Sequence, residues 1–141
     1  MATVELRFSA LPEHVRTARL VAAAVARRAG VDEAVLDEVR LAVGEACTRA
    51  VGLHLSNGVD APVRVALTEE EKKFSIEIGD ESPTSAALAP GATGGEEEPE
   101  GEDEMGLAVI KGLVDDVEVT TSETGGVIRM SWPTSPDSLV P

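Results

Sequence analysis

Apolar and polar residues alternate in five segments of the chain, and a period of two predicts strands that bury one face. In the first segment the side chains of Val4, Leu6 and Phe8 share a face. A short polar turn separates the second and third segments, which predicts a β-hairpin. The five predicted strands cover residues 3–10, 62–68, 73–79, 117–121 and 127–132.

Three other segments carry apolar residues at three- and four-residue steps, the spacing of an amphipathic helix. The first predicted helix covers residues 13–29 and ends at Gly30. The second is capped by Asp32 and runs to about Leu55, and the third covers residues 105–115. Because helices come early and strands come late, we predict an α+β fold: a two-layer sandwich with its helices on one face of a mainly antiparallel sheet.

The segment at 81–104 has no apolar periodicity and consists mainly of Ser, Pro, Ala, Gly and acidic residues. Such a composition predicts a long mobile loop. Its last part, residues 96–104, contains seven carboxylates and no basic residue. The sequence therefore predicts one domain at 1–133, interrupted by this acidic loop, and a disordered tail at 134–141.

Composition narrows the classes of partner. The net charge of −14 repels nucleic acid phosphates and anionic membranes, so neither is expected as a direct partner. One cysteine, Cys47, excludes an internal disulfide, and two distant histidines leave a zinc site without ligands. We also find no signal peptide and no membrane span, so a cytoplasmic protein is expected.

Three short motifs occur in a definite order: EACTR at 45–49 on the second helix, IGDESP at 78–83 leaving a strand, and EMGL at 104–107 entering the third helix. Together they resemble the ATPase domain shared by histidine kinases, type II topoisomerases and Hsp90 chaperones, and within it the bacterial anti-sigma-factor serine kinases. The resemblance extends from Val4 to Trp132 and implies the histidine-kinase-like (Bergerat) ATPase fold.

The resemblance also implies a site for ATP and Mg²⁺. In that family the helix glutamate is the general base for phosphoryl transfer to a serine, and Glu45 matches it. The strand-exit aspartate contacts the adenine amino group, and Asp80 matches that position. The remaining positions that match the family's ATP site are Arg49, Ser82, Met105, Gly106 and Leu107.

The sequence departs from the family pattern at two positions, Arg49 and Glu104. Arg49 stands where an asparagine binds Mg²⁺, and a guanidinium group has no acceptor with which to ligate a cation. Glu104 replaces the first glycine of the third motif and adds an anion near the phosphates. We therefore expect weak or absent ATP binding and no metal site. Two alternatives to a lost metal ligand are that Arg49 binds a phosphate group directly, or that it forms an ion pair with Glu45 one turn away.

The resemblance implies an anti-sigma-factor-like regulator of partner switching, which binds a sigma factor or an anti-anti-sigma protein. A homodimer is also compatible with the sequence. One alternative is an active ATP-dependent serine/threonine kinase that phosphorylates the anti-anti-sigma partner. Another is a scaffold that binds a basic partner through the acidic loop.

The first helix carries the predicted partner surface. Arg16 and Arg19 lie off its apolar stripe, and in the resembling kinases the first helix contributes to partner contact. Arginine suits such contacts because its planar fork pairs with carboxylates in a bidentate way. The alternative is that these arginines balance neighbouring acids and keep the protein soluble.

Overall fold

The computed structural model describes residues 2–82, 101–122 and 124–134, without the side chains of residues 2 and 101–106. Most of the predicted loop and tail, at 83–100 and 135–141, lies outside the described residues. The strands are β1 Ala2–Phe8, β2 Val63–Glu69, β3 Lys73–Asp80, β4 Asp116–Ser122 and β5 Gly125–Pro133. The helices are α1 Glu13–Ala29, α2 Leu36–Ser56 and α3 Gly101–Leu113, and a 3-10 turn at Glu33–Val35 leads into α2.

The strands form one antiparallel sheet in the order β1-β2-β3-β5-β4. Strands β2 and β3 form one hairpin, and β4 and β5 form another. The two hairpins are joined by the pairing of β3 with β5. The pairing sets Asp80 at the end of β3 opposite Gly126 at the start of β5. The predicted α+β architecture is therefore confirmed, and the sheet order that joins its two halves is added by the structure.

The two faces of the sheet differ in polarity, as the alternating sequence predicts. Side chains such as Ile76 and Met130 on one face belong to the buried core with the helices. The opposite face is polar, and there Ser75 donates a hydrogen bond to Glu70 Oε2 at 3.1 Å. Arg129 also donates to Glu70, at 3.4 Å. All three helices therefore pack on a single face of the sheet.

Helix α2 is the central helix, in contact with α1, α3, β2 and β3. Asp32 accepts a hydrogen bond from the Ala34 amide at 2.9 Å and so caps the turn that leads into α2. The predicted apolar stripe of α2 is buried at every position: Leu36, Val39, Val43, Ala46, Cys47, Ala50 and Leu53. The position of α2 is thus determined along its whole length by apolar burial.

The apolar spacing of α1 predicts a buried stripe of Val15, Ala18, Ala22, Val25 and Ala29. The first three are buried, whereas Val25 and Ala29 are only half-buried and Ala23 and Ala26 are buried in addition. The alanines can be buried together because small side chains let two helix backbones approach closely. Gly30 ends the helix as predicted, in the left-handed region at φ 104°.

Helix α3 begins at Gly101, four residues before the predicted start at Met105. The segment 101–104, predicted as the end of the acidic loop, is therefore helical, and the predicted loop boundary is corrected there. Negative residues are favoured in the first turn of a helix, which explains why the acidic sequence there does not prevent helix formation. No helix among the described residues is long and apolar enough to cross a membrane.

Candidate functional site

The strand exit after β3 is built around Asp80. The residue is only 6% exposed, and its Oδ1 accepts a hydrogen bond from the Ser82 amide at 2.9 Å. Glycines on β5 make room for it, since a Cβ at Gly126 would lie 3.2 Å from Asp80 Oδ2. A Cβ at Gly125, whose φ is +152°, would overlap the Asp80 carbonyl oxygen. The predicted site residue Asp80 is therefore held in a close-packed turn.

The C-terminal end of α2 fixes this turn from the side. His54 is fully buried; its Nδ1 lies 2.9 Å from the Ala61 carbonyl oxygen, and its Nε2 accepts from the Glu81 amide at 2.8 Å. Because Nε2 accepts, Nδ1 is the nitrogen that donates to the Ala61 carbonyl oxygen. One turn on, Asn57 donates to the hydroxyl of Ser82 at 3.0 Å. The sequence prediction missed both residues, since neither belongs to a motif or to an apolar stripe.

Glu45 and Arg49 lie one turn apart on α2, and both are half-buried. Among the described residues, the two side chains form no ion pair within 4.0 Å, so the i, i+4 pairing is not formed. Nε of Arg49 is buried and has no hydrogen-bond partner within the described part of the chain.

Arg49 and Asp80 line the same cavity, together with Ser82. The cavity measures about 30 Å³. That volume holds water but is far below the roughly 300–1,000 Å³ of typical small-molecule pockets. Its other walls come from Leu53 on α2 and from the β4–β5 hairpin, namely Val119, Thr120, Thr121, Gly125, Gly126 and Val127.

A larger cleft of about 250 Å³ lies at the same hairpin and shares Asp80 with the small cavity. Arg64 on β2 lines this cleft. Its Nη2 lies 2.7 Å from the position that a Cβ at Gly79 would take. Periodicity could not have indicated Arg64, because its proximity to Asp80 depends on the pairing of β2 with β3.

The residues present do not fit Mg²⁺. Arg49 occupies the position of the expected amide ligand and offers only N–H donors. No group of three or more His, Cys, Asp or Glu side chains that could hold a metal ion occurs among the described residues. We therefore assign no step of a reaction to a metal ion at this site.

The structure describes the backbone of the third motif, residues 104–107, but among its side chains only that of Leu107. Met105 and Gly106 lie in α3, and their side chains are outside the description. Leu107 is half-buried and packs against the hydrophobic core. The structure thus brings together Arg49, Asp80 and Ser82, whereas Glu45 is absent from the residues lining the two cavities at Asp80.

Cys47 is fully buried beside these residues on α2. Desolvation by burial raises the pKa of its thiol from 9.0 to about 12. A thiol in this state is not ionised at neutral pH, so Cys47 packs as a small apolar side chain rather than acting as a nucleophile.

The predicted partner residues Arg16 and Arg19 are both exposed on α1. The Arg19 side chain crosses to α2, where its Cδ lies 2.7 Å from the position that a Cβ at Gly44 would take. Further along α1, Arg27 pairs with Glu33 at 3.2 Å, so at least one arginine of this helix balances a neighbouring acid. Arg16 and Arg19 have no ion-pair partner in the described part of the chain.

Comparisons with known proteins agree with this geometry. The family model described as "Histidine kinase-like ATPase domain" matches residues 8–132. The "Serine-protein kinase RsbW" of Bacillus pumilus is 30% identical over 91% of this chain and 83% of its own length. Its namesake from Oceanobacillus iheyensis is 28% identical over 91% of this chain and 84% of its own length.

A solved structure shows the same fold. It contains the RsbU and RsbW domains of Rv1364c from Mycobacterium tuberculosis, and it matches with a TM-score of 0.67. The match covers 93% of this chain and 31% of that chain, at 15% sequence identity. At this identity the likeness supports the fold alone.

Proposed function

Because the chain belongs to the histidine kinase-like ATPase domain family, we propose that it is an anti-sigma-factor-like regulator of partner switching. It acts in the cytoplasm by binding a sigma factor or an anti-anti-sigma protein. The relatives named serine-protein kinase RsbW support this proposal, since they match over nearly the whole chain. In this proposal the family's nucleotide site is degraded and binding of another protein is the activity that remains.

The observation that carries the proposal is the state of Arg49. Its guanidinium replaces the amide expected to hold Mg²⁺, and its buried Nε lacks a hydrogen-bond partner among the described residues. The cavity that it shares with Asp80 has a volume of only about 30 Å³. Both features oppose tight binding of a magnesium nucleotide, whereas neither affects the exposed surface of α1.

The proposed partner surface is the exposed side of α1 that carries Arg16 and Arg19. The protein is strongly acidic overall, so two arginines without ion-pair partners in the described structure form a local basic patch. Such a patch suits carboxylates on an acidic partner surface.

The test is a pull-down from the native cell with the tagged protein as bait, followed by mass spectrometry. We expect a sigma factor or an anti-anti-sigma protein to be recovered. The matched control bait is the Arg16→Ala, Arg19→Ala double variant, which should lose that protein while retaining its fold. Recovery of neither class of protein by the wild-type bait would contradict the proposed function.

The second candidate is an active serine/threonine protein kinase. It is favoured by the presence of Glu45 and Asp80 at the family positions and by the names of the relatives. ATP would transfer its γ-phosphoryl group to the substrate hydroxyl and leave as ADP, and Glu45 would accept the hydroxyl proton. Transfer of phosphate from ATP to the recovered partner, abolished by Glu45→Gln, would favour this candidate over the first.

A further inference from the structure

We propose that Gly44 of α2 is a seat that holds the Arg19 side chain in place for the protein partner. The inference rests on the proposed function, because it takes Arg19 as a contact to the partner. It deepens that function by naming a positioning residue and by extending the partner surface from α1 onto α2. Gly44 acts through Arg19 and needs no contact with the partner itself.

The first support is the presence of a glycine at this position. Gly44 lies well inside α2, which runs from Leu36 to Ser56, and it is buried. Glycine in a helix interior is less favourable than alanine, because its backbone loses more conformational freedom on folding. Helix propensity therefore favours alanine here, and an interior glycine points to a neighbour that needs the space of the missing side chain.

That neighbour is Arg19 of α1. A Cβ at Gly44 would lie 2.7 Å from Cδ of Arg19, 3.5 Å from its Cγ and 3.7 Å from its Nη1. Carbon atoms in contact stay about 3.5–4.0 Å apart, so a Cβ at this position requires Cδ to move. Because Cδ lies between the backbone and the guanidinium, its displacement also moves the charged end of the side chain.

The row of α1 to which Arg19 belongs explains the contact. Ala23 and Ala26 follow Arg19 at the spacing of one helix face, and both are buried. Arg19 continues this row of small residues, yet it is exposed as a whole. Its aliphatic part therefore lies over α2 at Gly44 while its charged end stays accessible, as is common for long basic side chains.

A side chain held in this way is prepared for binding. Immobilising a side chain with many rotamers at an interface costs free energy, and an arginine already held against α2 has lost part of that freedom beforehand. Arg19 has no ion-pair partner in the described part of the chain, so its guanidinium remains available to a carboxylate of an acidic partner.

A packing role and a positioning role predict different results for the same variants. If Gly44 only lets α1 pack against α2, alanine changes the stability of the protein and leaves the affinity of the folded protein for its partner unchanged. If Gly44 seats Arg19, alanine weakens binding, and it does so only while Arg19 is present.

The experiment uses the full chain as wild type, Gly44→Ala, Arg19→Ala and the combination of both. Calorimetry measures affinity for the sigma factor or anti-anti-sigma protein recovered in the pull-down, and NMR relaxation of the Arg19 Nε–H group in the free protein reports whether the side chain is held. Gly52→Ala is the matched control on the same helix. A Cβ at Gly52 would meet no heavy atom within 4 Å in the described structure, apart from its chain neighbours and its own helix backbone.

We expect Gly44→Ala to bind the partner about tenfold more weakly than the wild type does, with faster motion of the Arg19 Nε–H group. Gly52→Ala should match the wild type in both measurements. In the Arg19→Ala background, Gly44→Ala should change the affinity by less than about twofold, because the effects of contacting residues are not additive. Gly44→Ser repeats the test if the alanine variant loses its native spectrum, and loss of that spectrum in both variants would overturn the seat in favour of a packing role.

The outcome is distinguishable from that of the proposed function. Equal affinities of Gly44→Ala and the wild type, or an equal loss with and without Arg19, would overturn the seat and leave the proposed function standing. Recovery of neither class of partner by the wild-type bait would contradict the proposed function instead. Unchanged relaxation of Arg19 in free Gly44→Ala would overturn the seat whether or not a partner is recovered.

Discussion

Single residues at the end of α2 determine the geometry of the candidate site. Asp80 was recognisable in the sequence because it directly follows an alternating strand and matches the resemblance. His54 and Asn57 were not, because their roles come from hydrogen bonds to residues 27 and 25 positions later in the chain. Neither periodicity nor a motif reports such contacts, so the support of the Asp80 turn could be found only in the structure.

His54→Ala is expected to loosen that turn. The variant leaves the Glu81 amide without its acceptor and removes a fully buried ring, so the free energy of unfolding should fall by about 1–3 kcal/mol. Hydrogen exchange should show a faster Glu81 amide, beyond the change at core amides such as Ile76. His54→Gln, which keeps an acceptor and a donor, serves as the control. Unchanged protection of Glu81 in the alanine variant would mean that the histidine does not hold the turn.

Cys47 is expected to make the protein sensitive to alkali. The folded thiol, with a pKa of about 12, keeps its proton where the unfolded thiol, with a pKa of 9.0, has lost it. Raising the pH through this window therefore favours the unfolded state, by up to about 1.4 kcal/mol per pH unit.

The measurement is denaturant unfolding between neutral pH and pH 11 under reducing conditions, for the wild type and Cys47→Ala. The wild type should lose more stability above pH 9 than the variant does, because alanine does not titrate. Identical pH dependence of the two proteins would show that the thiol is not the group responsible.

At the scale of elements, α2 connects the two surfaces that matter. One side of it carries Arg49 and His54 toward the Asp80 turn, and another side carries Gly44, on which Arg19 of α1 lies. The sequence predicted seven buried positions of α2 because they repeat at helical spacing, but it missed Ala42, Gly44, Val51 and His54. It predicted α1 less well, since alanines occur around much of that helix and do not define one apolar face.

The Arg16→Ala, Arg19→Ala double variant should weaken binding of the native partner by about thirtyfold or more, which corresponds to roughly 2 kcal/mol. The melting temperature should stay nearly unchanged, because both side chains are exposed and have no ion-pair partner in the described structure. Affinity is measured by calorimetry with the partner recovered in the pull-down. Arg28→Ala, an exposed arginine near the end of the same helix, is the control for a simple loss of positive charge. Equal affinities of the double variant and the wild type would place the partner surface elsewhere.

At the scale of the whole molecule, the fold class could be predicted because five alternating segments and two long amphipathic helices leave few architectures open. The sheet order could not, since the pairing of β3 with β5 joins strands separated by the third helix. The start of α3 was also missed, because acidic residues that indicate a loop by composition are equally favourable in a first helical turn. The extent of the candidate site was underestimated because Arg64 reaches it only through strand pairing, which the sequence does not specify.

We propose that this member of the family acts through protein contacts and has a degraded nucleotide site. Titration of the wild-type protein with magnesium ATP at moderate salt separates this proposal from an intact nucleotide site. Calorimetry should give no saturable binding in the micromolar range, because Arg49 replaces the metal ligand and borders a cavity of about 30 Å³. A parallel titration with EDTA shows whether any heat depends on the metal. Micromolar affinity that disappears when Mg²⁺ is removed would show that the nucleotide site is intact.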